Sequence, residues 1–89
     1  MRVLKLSGQF KKDLKKYKHK HDQIAALETI LGYLQRGDEI PAAYKPHMLT
    51  GDYKGHMECH VQNDLLLIWF DKWSDPVVLV RFGTHSELF

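Results

Sequence analysis

Apolar residues in the first 37 positions recur with the period of a helix, and polar residues fill the positions between them. Residues 3–6 predict a short strand, and Ser7 then offers the side-chain oxygen of a helix N-cap. The apolar stripe of the first predicted helix is Phe10, Leu14 and Tyr17. A second stripe follows an expected N-cap at Asp22 and ends at Arg36 and Gly37: Ile24, Leu27, Ile30, Leu31 and Leu34. This part of the chain is therefore predicted to form one strand and two amphipathic helices.

The apolar period changes to two in the second half of the chain. Strands are predicted at residues 53–61, 65–70 and 77–82, separated by turn-forming residues at 62–64 and 71–76. The middle strand is apolar on both faces, which is typical of a central strand that is covered on both sides. The order strand, helix, helix and three strands predicts an α+β fold, with two N-terminal helices packed on a mostly antiparallel sheet of about four strands.

Alternation within the strands assigns side chains to the two faces of the sheet. Cys59 is expected to face the core, and His60 the opposite side. The last strand is expected to present Val78, Val80 and Phe82 on one face and Val77, Leu79 and Arg81 on the other. After this strand, Thr84 and Glu87 have the spacing of a capping box, which predicts a single helical turn with His85 at its first position.

Length and composition indicate one soluble domain spanning residues 1–89. The chain is 44% hydrophobic and 27% charged, as in ordinary globular proteins. Its longest apolar run, residues 65–70, is far shorter than the roughly 18 residues of a membrane span, and the N-terminus lacks the apolar stretch of a signal peptide. The single cysteine, Cys59, excludes an internal disulfide. These features favour a cytoplasmic protein that has no membrane contact.

The net charge of +2 conceals a strong asymmetry along the chain. Residues 1–20 carry eight basic side chains and one acidic side chain, a net charge of +7, whereas residues 21–89 carry five basic and ten acidic side chains, a net charge of −5. Segregated positive charge is typical of a surface that binds a polyanion such as nucleic acid. A solvated, lysine-rich helix face is the alternative interpretation.

The side chains that could carry chemistry lie mostly in the sheet half of the chain. They are His47, His60, Asp64, Arg81 and His85, with Lys45 and Lys54 nearby. The short turn between the first two long strands should bring His60 close to Asp64, and Arg81 and His85 lie where the last strand ends. A metal site is an alternative because His and Asp are metal ligands, but their spacing matches no metal-binding signature. We therefore predict neither a metal nor another cofactor.

Four segments together resemble the YafQ branch of the RelE-type toxins. They are SGQFKKD at residues 7–13, HMLTGDYKG at 47–55, ECHVQND at 58–64 and RFGTHSELF at 81–89. Each segment is a weak signal alone, but their order and spacing are specific and the resemblance covers nearly the whole chain. Two departures stand out. His56 and Met57 occupy positions where the family commonly has an aromatic residue followed by arginine, and Tyr53 replaces a frequent tryptophan.

The resemblance implies a toxin of a bacterial toxin–antitoxin pair with a RelE-like, microbial-ribonuclease-type fold. Such toxins enter the ribosomal A site, cut mRNA there and arrest translation, and a cognate antitoxin blocks them. The resemblance associates activity with the positions of His47, His60, Asp64, His85 and Phe89, and phosphate binding with Arg81. The lysines of the first helix would hold ribosomal RNA: Lys11, Lys12, Lys15 and Lys16.

Cleavage of RNA through its own 2′-hydroxyl needs a base, an acid and stabilisation of the phosphorane, and histidine suits both proton transfers. We expect His85 to be the acid and either His60 or His47 to be the base. Asp64 would orient a histidine or accept the proton itself. Phosphate would be held by Arg81 helped by Lys45 or Lys54, and Phe89 would either stack on a base or lock the final turn. A non-catalytic RNA-, ribosome- or partner-binding member of the same fold is the main alternative, and a small metal-dependent hydrolase is another.

Overall fold

The computed structural model describes residues 1–71 and 76–89, and within them five strands form one sheet in the order β1-β5-β4-β3-β2. The elements are β1 (Leu4–Leu6), α1 (Gly8–Tyr17), α2 (His21–Arg36), β2 (His47–Met48), β3 (Met57–Gln62), β4 (Leu65–Phe70), β5 (Val77–Thr84) and α3 (His85–Leu88), with 3-10 turns at Ala42–Tyr44 and Gly51–Tyr53. β1 pairs with β5 in parallel, and the other neighbours are antiparallel. The predicted α+β class is confirmed, with one strand more than expected.

Helix α1 begins at the predicted cap. The Ser7 hydroxyl accepts the Phe10 backbone N–H at 3.0 Å and donates to the Val80 carbonyl at 3.0 Å. The first contact satisfies an N–H that has no partner inside the helix, and the second ties the start of α1 to β5. Ser7 therefore sets both where the helix begins and where it lies on the sheet.

Helix α2 begins two residues earlier than predicted. Lys20, and not Asp22, is the N-cap residue, and its side chain makes no capping hydrogen bond. The Lys20 N–H donates to the Tyr17 carbonyl at 2.8 Å, so the tight reversal after α1 sets the start of α2. Asp22 lies inside the first turn, where its charge is favourable to the helix dipole. The predicted end is confirmed, because Gly37 closes α2 in the left-handed conformation with φ of 77°.

The sheet buries side chains on both faces. On the helix face, which α1 and α2 cover, Leu65, Leu67 and Trp69 of β4 join the larger core. On the opposite face, Leu66 and Ile68 pack with Leu88 of α3 and with part-buried Leu49, Tyr53 and Val80. The prediction of a central strand covered on both sides is thereby confirmed for β4.

Strand β5 changes the face of its side chains because its register with β4 shifts. Ile68 pairs with Arg81 and Trp69 pairs with Leu79, so one residue of β5 is left over. The predicted grouping of Phe82 with Val78 and Val80 is wrong, since Phe82 joins Val77 and Leu79 in the core of the helix face. Arg81, which directly precedes buried Phe82, stays part-exposed.

The stretch before β3 is less regular than alternation predicts. The strand expected at residues 53–61 begins only at Met57, because a 3-10 turn ends at Tyr53 and Gly55 has φ of 89°. Strand β2 was not predicted; its two residues pair with β3, and His47 lies opposite Glu58. In the predicted turn at 71–76, residues 72–75 lie outside the described residues. Among the helices of the described part of the chain, none has the length and apolar character needed to cross a membrane.

Candidate active site

The opposite face of the sheet brings two predicted histidines together. The alternation of β3 directs Cys59 and Val61 into the helix-face core, so Glu58 and His60 belong to the opposite face. The β2–β3 register places His47 beside them, with its ring centroid 6.4 Å from that of His60. Sequence reasoning proposed both histidines, but only the short edge strand makes them neighbours.

His47 lies between a backbone carbonyl group and a buried carboxyl group. His47 Nδ1 lies 2.7 Å from the Lys45 carbonyl oxygen, which only accepts, so Nδ1 carries a proton. His47 Nε2 lies 3.1 Å from Glu58 Oε1. This contact joins an exposed imidazole to the buried Glu58 carboxyl group.

Glu58 is a site residue that sequence reasoning missed. It is only 5% exposed, and its Oε2 atom is buried without a hydrogen-bond partner among the described residues. A buried polar atom without a partner is costly, and such atoms cluster at functional sites. The available signal was an acidic residue in mid-strand, on the same face as His60.

Tyr53 links the other half of the site. Its hydroxyl lies 3.4 Å from Arg81 Nη1, and its ring meets the rings of His56 and Phe89 edge-on at 5.8 and 5.7 Å between centroids. Phe89 in turn lies 5.1 Å from the ring of His85. Phe89 contacts the rings of Tyr53 and His85, which holds the final turn against the sheet. Because Phe89 is still 56% exposed, part of its ring is also open to a ligand. His56 takes part in this aromatic group and also packs on Phe70.

Arg81 donates two hydrogen bonds to the buried carboxylate of Asp13. Arg81 Nε and Nη2 donate to the two oxygens of Asp13 at 2.9 and 3.3 Å, and Asp13 is 1% exposed. Burial opposes the charge of Asp13, but hydrogen bonds from Arg81, the Phe82 N–H and Gln9 outweigh it, so the pKa of Asp13 is lowered. The Asp13 hydrogen bond raises the pKa of Arg81. This bidentate contact leaves Nη1 directed toward Tyr53.

The predicted capping box that carries His85 is confirmed. The Glu87 N–H donates to Thr84 Oγ1 at 3.3 Å, and the Thr84 N–H donates to Glu87 Oε1 at 2.8 Å. His85 is the exposed first residue of α3, and its side chain makes no hydrogen bond within residues 1–71 and 76–89. His60 and Gly83 both pair with Leu66 of β4, so the backbones at His60 and Gly83 lie about 10 Å apart. His85 follows Gly83 by two residues.

The remaining predicted residues are spread over the β3–β4 turn, the ends of the two 3-10 turns and α1. Asp64 is exposed in the β3–β4 turn and lines a cleft of about 220 Å³ with Thr84 and Tyr17. Lys45 has a left-handed backbone, with φ of 51°, and Lys54 is exposed after the 3-10 turn. Lys11, Lys12, Lys15 and Lys16 are all exposed. The charge of Lys16 acts on Glu87, so the basic face of α1 adjoins α3.

Two other features bear on the chemistry. Cys59 is fully buried, and burial raises the pKa of its thiol to about 12, which makes it unsuitable as a nucleophile at neutral pH. No group of three or more His, Cys, Asp or Glu side chains in the described part of the chain is arranged to hold a metal ion. The chemistry available on the opposite face consists of imidazoles, a buried carboxyl group and a guanidinium.

Comparison with known proteins defines the family to which this chain belongs. A family model described as the bacterial toxin of type II toxin–antitoxin systems, YafQ, matches residues 2–89. The mRNA interferase toxin YafQ of Escherichia coli strain K12 is 36% identical over 90 residues, covering 99% of this chain and 96% of that protein. The chain therefore belongs to the YafQ family of toxins from type II toxin–antitoxin systems.

Solved structures agree with this assignment. YafQ in the E. coli DinJ–YafQ toxin–antitoxin complex superposes with a TM-score of 0.87 at 34% identity, covering 99% of this chain and 97% of that one. A metal-bound toxin from Helicobacter pylori superposes with a TM-score of 0.88 at 37% identity over 100% of both chains. The RelE-like fold implied by the sequence resemblance is thereby confirmed.

Proposed function

We propose that this toxin is a metal-independent endoribonuclease that enters the ribosomal A site, cuts mRNA there and so inhibits translation. The observation that carries the proposal is the opposite face of the sheet, where His47, His60 and buried Glu58 lie together and Arg81 faces the Tyr53 hydroxyl. The name of the E. coli relative as an mRNA interferase supports the same substrate class. Because the ribosomes are in the cytoplasm, a toxin that acts on them acts in the cytoplasm.

The side-chain contacts of the two histidines favour His60 over His47 as the general base. Both ring nitrogens of His47 are engaged, by Lys45 and by Glu58. The side chain of His60 makes no hydrogen bond within the described residues, so a ring nitrogen is available to accept the 2′-hydroxyl proton. The ring of His47, in contact with the buried Glu58 carboxyl group, lies beside His60. Asp64, in the turn after β3, remains a second candidate for orienting the base.

His85 serves as the general acid in this proposal. Its ring is exposed, makes no hydrogen bond within the described residues, and lies against Phe89 on a turn closed by a capping box. A neutral-pH acid must give its proton to the departing 5′-oxygen, and histidine has a suitable ordinary pKa of about 6.5. Phe89 both orients this ring and offers its exposed surface to a base of the mRNA.

Arg81 stabilises the charge of the phosphorane. Asp13 fixes one edge of the guanidinium and leaves Nη1 beside the Tyr53 hydroxyl, where both groups donate to a phosphate oxygen. Lys45 and Lys54 flank this part of the chain and add positive charge. Lysines 11, 12, 15 and 16 on α1 bind ribosomal RNA next to α3, and the affinity falls steeply with salt.

The reaction products test the chemistry. An mRNA bound to purified ribosomes should be cut in the A site only when the toxin is present, and the fragments should end in a 2′,3′-cyclic phosphate and a 5′-hydroxyl. His85→Ala should lower the rate at least about tenfold, since a well-placed acid typically contributes about 10²–10⁴-fold. His19→Ala, an exposed histidine at the end of α1, is the matched control. Ribosome binding without cleavage would favour the non-catalytic alternative.

Metal independence needs a separate experiment, because a related toxin from H. pylori binds metal. The toxin should be treated with a chelator and then desalted, so that the Mg²⁺ required by ribosomes is undisturbed. Unchanged cleavage is expected. Loss of cleavage that one transition metal restores would replace the proposal by a metal-dependent hydrolase.

A cognate antitoxin is the proposed protein partner, as in the DinJ–YafQ complex of the relative. Co-expression of the neighbouring reading frame should relieve growth arrest and yield a complex that co-purifies with this chain. Arrest that no adjacent product relieves would contradict this pairing.

A further inference from the structure

Tyr17 lies on α1, outside the candidate active site, yet its hydroxyl is bonded to the turn that carries His85. Its Oη lies 2.5 Å from Glu87 Oε1, and the residue is only 5% exposed. We propose that Tyr17, acting through Glu87, is a positioning residue that holds His85 where it reacts, a role that rests on the ribonuclease function proposed above.

The turn that carries His85 cannot hold itself in place. α3 has four residues, and a single turn of helix is unstable on its own. Its internal closure is the hydrogen bond from the Phe89 N–H to the His85 carbonyl, at 2.9 Å, with the capping box at its start. The direction of this turn relative to the sheet therefore depends on contacts with other elements. Tyr17 provides one from α1, and Leu88 provides another from the opposite-face cluster.

Glu87 is fixed from three sides. Its Oε1 atom accepts both the Tyr17 hydroxyl and the Thr84 N–H, and a Cβ atom placed on Gly83 would lie only 2.9 Å from Oε1. The carboxylate therefore packs directly against the end of β5. Because His85 lies between Thr84 and Glu87 in the chain, restraining both ends of this short segment restrains the histidine.

Tyr17 is a rigid anchor for this contact. Its ring packs on Phe82 with 4.9 Å between centroids, and Phe82 is 1% exposed in the core. Burial and then the bond to Glu87 raise the pKa of Tyr17 to about 12, while the Thr84 N–H and then Tyr17 lower the pKa of Glu87. A protonated donor and an ionised acceptor thus persist at neutral pH, as in a charge-assisted hydrogen bond.

Tyr17→Phe removes only the hydroxyl and is the direct test. A bond to a charged group is worth about one factor of ten in an equilibrium, and a misplacement of about 1 Å can cost up to 10²-fold in rate, so we expect kcat for cleavage to fall about tenfold. The KM for mRNA-programmed ribosomes should stay within about twofold, because Tyr17 is buried and offers almost no surface to RNA. Tyr33→Phe, at a half-buried tyrosine that packs on Tyr44, is the matched control.

A double variant separates positioning from general destabilisation. If Tyr17 acts through His85, adding Tyr17→Phe to His85→Ala should lower cleavage no further. Glu87→Gln keeps an oxygen that accepts the Thr84 N–H and should restore part of the rate lost in Glu87→Ala. An additive loss in the double variant would mean that Tyr17 serves only the fold, and would overturn the proposal.

Amide hydrogen exchange supplies a readout that does not depend on cleavage. The Thr84 and Phe89 amides should exchange about tenfold faster in Tyr17→Phe than in Tyr33→Phe, since one charge-assisted bond restrains the turn. Unchanged exchange would contradict the restraint itself. If Tyr17→Phe cleaves normally while His85→Ala is inactive, the positioning role of Tyr17 is contradicted but the proposed ribonuclease function is not. Normal cleavage by His85→Ala would contradict the proposed function, and the positioning role with it.

Discussion

The Asp13–Arg81 contact can be tested by Asp13→Asn, which changes charge with little change in size. Asp13 is 1% exposed and accepts hydrogen bonds from Arg81 Nε at 2.9 Å, the Phe82 N–H at 3.0 Å and Gln9 Nε2 at 3.2 Å. An amide has one accepting oxygen in place of two, and its NH₂ group cannot accept from Arg81. If the asparagine oxygen takes the place of Oδ2, it keeps Arg81 Nε and the Phe82 N–H, but its NH₂ group faces the donors Arg81 Nη2 and Gln9 Nε2. In the flipped orientation, Arg81 Nε and the Phe82 N–H both lose their acceptor.

The expected loss in the free energy of unfolding is about 2–4 kcal/mol. Removing one partner of a buried ion pair typically costs about 3–5 kcal/mol. The Arg81 side chain is 18% exposed, so water recovers part of its lost interaction, and the asparagine oxygen retains one acceptor. A domain of this size has roughly 5–10 kcal/mol of stability in total. The variant should fold at room temperature with its thermal midpoint lowered by about 8–30 °C.

Urea unfolding at neutral pH, followed by circular dichroism, measures this loss. Asp38→Asn is the control, since the Arg36–Asp38 pair has the same 2.9 Å contact distance but side chains that are 51% and 56% exposed. Exposed pairs contribute about 0–1 kcal/mol, so the control should unfold almost as the parent does. Equal midpoints for the two variants would refute the conclusion that the buried pair organises β5 and α1.

The same variant has a distinct pH dependence. Burial raises the pKa of Asp13, but the hydrogen bonds from Arg81, Phe82 and Gln9 lower it further than burial raises it. A carboxyl group with a lowered pKa in the folded state contributes stability above its unfolded pKa of about 3.9, and this contribution is lost as the pH falls through the folded pKa. The stability of the parent should therefore begin to approach that of the variant as the pH falls below about 4, and the difference should vanish only below the folded pKa of Asp13.

Three further outcomes are expected. Because the folded pKa of Tyr17 is raised to about 12, the stability that Tyr17 contributes should be lost as pH rises from about 10 to 12, and Tyr17→Phe should flatten that part of the stability curve. Cys59, with its thiol pKa raised to about 12 by burial, should react with a thiol reagent at pH 8 only after denaturation, and a fast native reaction would contradict its burial. Reversing two of the α1 lysines should weaken ribosome binding and lower its salt dependence, while far-UV circular dichroism stays unchanged. The lysines available for this experiment are Lys11, Lys12, Lys15 and Lys16.

Local sequence signals predicted the elements whose ends are stabilised locally. Ser7 caps α1 through a neighbour three residues away, Gly37 closes α2 in a left-handed conformation, and Thr84 with Glu87 closes the capping box. Each depends on contacts within a few residues, so the spacing of residue types is sufficient. The start of α2 was predicted wrongly because the reversal after Tyr17, and not a side-chain cap, sets it.

Predictions that depend on register between strands failed or were incomplete. The bulge in β5 moves Phe82 to the helix-face core, and strict alternation cannot anticipate one extra residue. The two residues of β2 carry too few positions for a period, so the strand that places His47 opposite Glu58 was not predicted. For the same reason Glu58 was not recognised as a site residue.

The sequence by itself determined the α+β class, the caps of α1 and α3, the basic face of α1 and the set of chemically competent residues, because these follow from residue type, period and short-range spacing. Tertiary structure alone decided which of these residues meet. Asp13 and Arg81 are 68 positions apart, and Tyr17 and Glu87 are 70 apart, yet each pair is in hydrogen-bond contact. Contacts across such separations depend on how α1 packs on β5, and the energy of that packing is distributed over the whole core.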